Sequence, residues 1–358
     1  MTAPLPPGSR IGILGDGQLG RMLATAAAEL GFDIHIFAPE PDSPAARVAA
    51  RVTVAPYDDA GAISAFAQSV DAVTFEFENI PVATLAACAA HAPIRPGVAS
   101  LEQTQDRLIE KRFIESLGLR PAPYRAVSTR ADLTSAIDQI ATPAILKTRR
   151  MGYDGKGQVL IRAPQEAPEA WAALTHAPSV LEGFVAFSCE VSVVLARGLD
   201  GACAPFAVTQ NEHRDGILRR SIAPAPVSAQ TAAAAIEAAA AIANALDHVG
   251  VLAVEFFVEP DGTLRVNEIA PRVHNSGHWT QDAPGPSQFE QHIRAVAGWP
   301  LIAPPPQSHT FEMINLIGED ATDWRKWAQD PHARVHLYGK RQQRQARKMG
   351  HITRFKTP

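Results

Sequence analysis

Arg265–Thr280 reads RVNEIAPRVHNSGHWT: one Glu, two Arg, two His, two Asn and a Ser in sixteen residues, with only scattered apolar positions between them. A second acidic strand, Ala253–Val258 (AVEFFV), lies just upstream, joined through Glu259-Pro260-Asp261-Gly262-Thr263. Asp-Gly favours a two-residue type I′ hairpin turn. With Asp261 and Gly262 as that turn, Pro260 faces Thr263, and counting back sets Glu255 directly opposite Glu268 on the same face. Two carboxylates held face to face repel and weaken a sheet. Either a divalent cation sits between them, Mg²⁺ or alternatively Mn²⁺, sharing oxygen ligands with phosphates, or one or both Glu turn to solvent at a sheet edge.

The chain around this hairpin has 358 residues, enough for two or three domains. With 46% apolar and 20% charged residues and a net charge of −4, it reads as a globular protein with no call for nucleic acid or an anionic membrane as partner. Cys88, Cys189 and Cys203 are scattered, without CxxC spacing, which fits a reducing cytoplasm and neither disulfides nor zinc. No apolar run reaches membrane-spanning length, and MTAPLPPGSR reads as a short loose extension and not a signal peptide. Lys340, Arg341, Arg344, Arg347 and Lys348 crowd the C-terminus, as either a solvated tail or a phosphate site.

Near the N-terminus a buried strand, Arg10–Leu14, runs into Gly15-Asp16-Gly17-Gln18-Leu19-Gly20, a helix Arg21–Leu30 closed by Gly31, and a second strand Asp33–Phe37. The loop satisfies G-x-G-x-x-G, yet Ala38-Pro39 stand where a dinucleotide site wants its ribose acid. The loop either offers N–H groups to a phosphate monoester at the helix N-terminus or serves tight packing. Val70–Phe77 is a further strand ending in Glu76, Glu78 and Asn79, where an acid can accept from a ribose hydroxyl or belong to a helix cap. Ser100–Leu117 reads as one helix carrying Asp106, Arg107 and Lys111 and ending at Gly118.

Ala144–Thr148 places Lys147 on a strand ahead of Arg149–Gly157, a loop with three glycines and Lys156, and then a strand Gln158–Ile161. It is no Walker A loop. Glycines let backbone amides approach phosphate oxygens and lysines neutralise them; a mobile hairpin with exposed lysines has the same composition. Val180–Val185 leads to Glu190 and a strand Val191–Leu195, the layout of an adenine slot with an acid for the ribose, or of an ordinary hairpin. His213 and Arg214 follow beside an acid, then an Ala-rich helix Thr231–Leu246, and late strands Met313–Leu316 and Val335–Leu337.

Strand lysine, glycine-rich loop, adenine-type strand, ribose acid and paired carboxylates follow the order of ATP-grasp ligases. GILGDGQLGRML, KTRRMGYDGKGQ, HRDGILR, NEIAPRVHNSGHWT, MINLIG and ARKMGH resemble, over nearly the whole chain from Arg10, the N5-carboxyaminoimidazole ribonucleotide synthetase family of purine biosynthesis. The resemblance implies an α/β chain, α+β overall, with an N-terminal Rossmann-like parallel-sheet domain over 1–100, an ATP-grasp domain over 101–300 with a lid at about 120–185, and a small β-rich C-terminal domain over 301–358. It implies that MgATP phosphorylates bicarbonate to carboxyphosphate, and that carboxyphosphate or CO₂ meets the amine of 5-aminoimidazole ribonucleotide. A cytoplasmic homodimer goes with it, although the sequence itself gives no oligomeric state.

Carried over on the same resemblance, ATP falls to Arg107, Lys147, the loop Gly152, Tyr153, Asp154, Gly155, Lys156, Gly157 and Gln158, the strand Glu182, Gly183, Phe184 and Val185, then Glu190, His213, Asn267 and Glu268. Glu255 and Glu268 take the metal; Ala270 stands where many relatives add an Asn ligand, which leaves more of the coordination to ATP oxygens and water. The nucleotide substrate meets Gly17, Gln18, Leu19, Glu76, Tyr153, Arg272 and Ser276, with its phosphate at Lys340 and Arg347. Arg272, His274, Asn275, Ser276 and Lys156 serve the bicarbonate chemistry. Two other classes compete: a nicotinamide oxidoreductase, which leaves Glu255, Glu268 and the Lys147 loop unexplained, and a non-catalytic ATP sensor, which has no need of His274, Asn275, Ser276 and His278. A formyl-phosphate ligase shares the frame but not HNSGHWT.

Overall fold

The structure is a computed structural model and describes residues 3–152, 154–344 and 346–356. The first unit runs β1 (Arg10–Leu14), α1 (Gln18–Glu29), β2 (Asp33–Ala38), β3 (Arg51–Val54), α2 (Ala60–Gln68), β4 (Ala72–Phe75) and α3 (Val82–Ala89). Its strands form a parallel sheet in the order β3-β2-β1-β4. Apolar residues on both strand faces demand cover on both sides. Ile11, Ile13, Ile34 and Ile36 share a core with α1, whereas Leu14, Phe37, Val73 and Phe75 pack with Ile63 and Phe66 of α2 and Leu85 of α3.

The single helix expected over Ser100–Leu117 is two: α4 (Val98–Thr104) and α5 (Arg107–Ser116). Asp106 breaks it. Its backbone is extended and its carboxylate accepts from the amides of Leu108 and Ile109, capping α5. Arg149 and Arg150 pair with the same carboxylate, so this cap also anchors the start of the glycine loop.

A lid follows: β5 (Tyr124–Val127), α6 (Arg130–Ile140), β6 (Ala144–Thr148), β7 (Gln158–Ile161), α7 (Ala167–Ala173) and β8 (Ser179–Gly183), with sheet order β5-β8-β6-β7. The central sheet is built from β9 (Cys189–Arg197), β10 (Cys203–Pro205), β11 (Thr209–Arg214), β12 (Ile217–Ala223), then, past α8 (Ala229–Ala245), β13 (Gly250–Val258) and β14 (Leu264–Ala270). Beyond α9 (Gln288–Ala297), β15 (Thr310–Ile317), α10 (Trp324–Ala328), β16 (Ala333–Leu337) and β17 (Lys348–Lys356) extend that same sheet through β12. β17 was hidden in the basic C-terminal run, because KMGHITRFK lacks clean alternation.

One face of the central sheet is apolar throughout, with Val191, Val193, Leu195, Leu252 and Val254 buried under α8. The other face changes character along its length. Val194, Ala196 and Ala253 pack with Phe289 and Ile293 of α9, whose Val296 and Ala297 share a core with α1. Ser192, Asn211 and Glu255 continue this face as polar positions, and the site lies there. No described helix is long and apolar enough to cross a membrane.

The deciding hairpin holds two deviations that cancel. Its connection is not the two-residue turn: Glu259 donates its amide to Thr263, only Gly262 among the loop residues has positive φ (85°), and three residues separate the paired ends. Near the loop the register is therefore one residue off the expected one, with Phe256 opposite Val266. A β-bulge at Asn267 then adds a residue and restores the count, so Glu255 faces Glu268.

Candidate active site

Glu255 is buried on β13, next to the edge strand β14, and burial pushes its carboxyl up to about 7, with the facing Glu268 adding to the effect. Glu268 is more open and pairs with Arg107 at 3.3 Å. Beside them the side-chain oxygen of the bulged Asn267 is buried with no hydrogen-bond partner. Two facing carboxylates and an orphaned amide oxygen are hard oxygen donors, which fits Mg²⁺. Among the described residues no group of three or more His, Cys, Asp or Glu is placed to hold a metal, so the remaining ligands have to come from elsewhere, as a nucleotide's phosphates do.

Lys147 is buried and donates to Glu182 at 2.9 Å; Lys111 reaches the other oxygen at 3.0 Å. Burial opposes ionisation of Glu182, but the two lysines outweigh it and hold the carboxyl at about 2. The Glu182 side chain is thus engaged within the chain, where it fixes Lys147. The amides of Gly183 and Phe184 are also taken, by the carbonyls of Pro123 and Pro143. Any base contact from these two rests on their carbonyls and the exposed Phe184 ring, while Val185 is buried. Glu190 pairs with His213; burial opposes the imidazole's charge, yet Glu190 and Glu255 raise it above its ordinary value.

The glycine loop closes over this pocket. Arg107 donates to the Gly152 carbonyl at 3.4 Å, and Asp154 pairs with Lys348 at 2.7 Å. Gly155 lies against the turn Asp215-Gly216, so close that a Cβ on Gly216 would come within 2.5 Å of the Gly155 Cα. Lys156 and Gln158 are exposed, and Gly157 packs on Thr148. Tyr153 lies outside the described residues.

The loop between β1 and α1, with the first turn of that helix, spends two N–H groups on a carboxylate of the chain itself. Glu76 comes in from the end of β4 and accepts from the amides of Gly17 at 2.8 Å and Gly20 at 3.1 Å. A Cβ at Gly15 or Gly17 would collide with that carboxylate, which explains the glycines. Burial raises the Glu76 pKa and the two amides oppose it. Gln18 opens α1, and the Leu19 side chain is buried in the core, which leaves its backbone for any contact with a ligand. Lys340, near the other end of the chain, is close enough to Glu76 and Asp154 to feel both charges. Arg341 meets Asp42 at 2.8 Å, docking the basic run on the first unit.

Arg272 is paired with Glu78, and His274 places its Nε2 3.5 Å from Glu255. Burial, with Arg272 and Lys348 nearby, holds the His274 imidazole neutral, well below its ordinary value. The next two residues have partners within the chain. Asn275 exchanges hydrogen bonds with the Asn315 amide at 3.0 and 2.8 Å, and Ser276 is wholly buried, bonded to His274 and Ser192. Within the chain both side chains are held by these partners.

Residues 9–105 match the ribonucleotide synthetase preATP-grasp domain, 112–289 the ATP-grasp domain and 312–357 the phosphoribosylaminoimidazole carboxylase C-terminal domain. The chain is 50% identical to the N5-carboxyaminoimidazole ribonucleotide synthase of Brucella melitensis over 98% of both chains, and 42% identical to that of Bacillus subtilis over 98% of this chain and 93% of the relative.

The chain belongs to the N5-carboxyaminoimidazole ribonucleotide synthase family.

It is an ATP-grasp carbon–nitrogen ligase that uses ATP to carboxylate 5-aminoimidazole ribonucleotide in purine biosynthesis. Its fold matches a synthetase of this family solved as an ADP complex, with TM-score 0.96, 43% identity, and coverage of 100% of this chain and 95% of that one. The Aspergillus clavatus synthase solved with ADP and 5-aminoimidazole ribonucleotide matches with TM-score 0.92 and 28% identity over 98% of this chain and 94% of that one. Three residues of this synthase fold escaped the sequence reading of the site: Lys111, Glu78 and Lys348. Glu78 was visible as a charge past a strand end and Lys111 as one within a helix, neither with a partner in sequence. Lys348 was seen only as part of a basic run, which hid the strand it sits on.

Proposed function

We propose that the carboxyl group comes from bicarbonate, activated by ATP as carboxyphosphate. A bicarbonate oxygen attacks the γ-phosphorus, the bond to the β,γ-bridging oxygen breaks, and ADP leaves. The amine of 5-aminoimidazole ribonucleotide then forms its C–N bond to the carboxyl carbon, on carboxyphosphate or on CO₂ released from it, losing a proton as phosphate departs. Glu255, Glu268 and the Asn267 oxygen would hold Mg²⁺, or Mn²⁺ in its place, which would supply charge neutralisation for phosphoryl transfer. Lys147, fixed by Glu182, and Arg107 bind ATP phosphates; Glu190 takes the ribose. Arg272 and His274 hold bicarbonate. Glu76, Asp154, Lys348, Lys340 and Arg347 surround the substrate nucleotide, and the loop 151–157 excludes water from the mixed anhydride. The reading includes a cytoplasmic homodimer.

The observation that supports it is the His274–Glu255 approach of 3.5 Å, between the residue assigned here to bicarbonate and one assigned to the metal. ADP release measured with bicarbonate and 5-aminoimidazole ribonucleotide each present or omitted is the test. Release that does not depend on bicarbonate sinks it.

Burial pulls the Lys340 pKa down to about 8, with Arg347 adding to it. A lysine with a lowered pKa carries its charge below that value and loses it above, so the KM for 5-aminoimidazole ribonucleotide is expected to rise as pH climbs through 8. Bound phosphate opposes the loss by favouring the charged amine. Lys340→Arg should flatten the profile; an identical rise in that variant removes Lys340 from the phosphate site. Arg347, half-buried and donating to the Gln342 carbonyl at 3.2 Å, should when changed to Ala weaken nucleotide binding about 10-fold and leave ATP affinity unchanged.

The lid gives a separate expectation. MgATP should protect residues 151–157 from hydrogen exchange, since the glycines bury little surface of their own. Gly216 has φ +71 and no room for a Cβ against Gly155, so Gly216→Ala should lower that protection and raise the KM for ATP about 10-fold. Equal protection in both proteins would make the contact incidental.

A further inference from the structure

Behind His274 a buried hydrogen-bonded chain crosses three strands. Ser221 on β12 donates to the Asn211 Oδ1 at 2.8 Å, and Asn211 on β11 donates through Nδ2 to Ser192 Oγ at 3.0 Å. Ser192 on β9 donates to Ser276 Oγ at 2.7 Å, and Ser276 Oγ lies 2.9 Å from His274 Nδ1. The three members on the strands are almost wholly shielded from solvent, at 1%, 4% and 0% exposure for Ser221, Asn211 and Ser192. Apart from these contacts they play no part in the mechanism above.

The chain has a direction. An amide NH₂ only donates and an amide oxygen only accepts, so Asn211 makes Ser192 an acceptor on one side and sends its hydroxyl hydrogen to Ser276. Ser276 then has its own hydrogen left for Nδ1. The reversed chain would require a proton on Nδ1, and the backbone N–H of Ser276 points at the same nitrogen from 3.3 Å. Two N–H groups cannot face one another favourably, so Nδ1 is bare and the proton sits on Nε2. At 3.5 Å from Glu255 that N–H is too far for a good hydrogen bond and remains available to a ligand oxygen.

We propose that Ser192 and Asn211 are positioning residues that hold His274 in its Nε2–H tautomer, making it a hydrogen-bond donor to bicarbonate-derived oxygens and not a base. This rests on the reading of His274 as a bicarbonate contact. The strand register supports it: Ser192 is the cross-strand neighbour of Glu255, so the chain reaches His274 from the same sheet face that carries the carboxylate.

The test uses the full-length enzyme labelled with ¹⁵N-histidine, reading tautomers from two-bond proton–nitrogen correlations, with the His274 signals identified by their loss in His274→Gln. The wild type should show the Nε2–H form. Ser192→Ala should give a mixture of tautomers, and at pH 8 an ionised carboxylate in Asn211→Asp accepts from both serines and should drive His274 toward Nδ1–H. Each should raise the KM for bicarbonate about 10-fold, the loss of one charge-assisted hydrogen bond, with the KM for ATP unchanged. Ser192→Thr, which keeps the hydroxyl, should restore both readouts, and either serine variant carries the test if Asn211→Asp does not fold. An Nδ1–H tautomer in the wild type, or an unmoved tautomer or bicarbonate KM in Ser192→Ala, overturns the proposal. An unchanged bicarbonate KM in His274→Gln instead overturns the role of His274 itself.

Discussion

Glu268→Gln should lower MgATP-dependent turnover by about 100-fold or more while leaving the fold intact, the scale of loss when a preorganised charge at the reacting centre is removed. The change keeps the side chain's shape. It removes the charge facing Glu255, which now raises that carboxyl's pKa, so strand pairing gains where catalysis loses. Arg107 loses its partner at 3.3 Å, but Glu268 is the more exposed of the two, with 40% of its side chain accessible, so water can replace it. Thermal melting should therefore move by no more than a few degrees. Turnover within a factor of a few of the wild type would mean that the hairpin does not hold the metal.

Arg272→Met should both abolish bicarbonate-dependent ADP release and destabilise the protein by about 3 kcal/mol, because it strands Glu78 without its partner in a largely buried site. The two effects separate in a double variant. Adding Glu78→Gln removes the uncompensated charge, and most of the stability should return, as read by urea unfolding. Activity should not return, since the guanidinium is still missing. Recovery of both would reduce Arg272 to an interdomain strut; recovery of neither would show that packing of the arginine stem dominates.

The ion pair of Arg272 and Glu78 illustrates what local sequence leaves open. Arg272 was readable as functional from its place in NEIAPRVHNSGHWT. Its partner, 194 positions away, was not, because nothing in a local pattern reports which charge lies across space. Glu76 is similar. Its position at the end of a parallel strand marked it for a ligand, yet its carboxylate first satisfies the amides of Gly17 and Gly20, and a helix N-terminus accepts an internal anion as readily as an external one. Asn275 and Ser276 were assigned to the site by resemblance alone; no local pattern shows that Asn315 and Ser192 offer them buried partners, although a buried polar group left unpaired is costly.

By itself the sequence determined the order of the parts: a parallel sheet with its glycine loop, a strand lysine before a glycine lid, and two acidic strands joined by a tight connection. Those follow from period, turn chemistry and apolar runs, all short-range properties. It also determined that Glu255 and Glu268 face one another, although by a count whose two single-residue errors cancelled between a longer loop and the bulge at Asn267. Only the tertiary structure decided which polar groups are spent on the protein and which stay open. Lys147 is fixed by Glu182, the tautomer of His274 is set from three strands away, and Lys348 meets Asp154 across 194 positions. Each of these depends on distances between elements that local propensity does not encode, since a hydrogen bond is made or lost within a few tenths of an ångström.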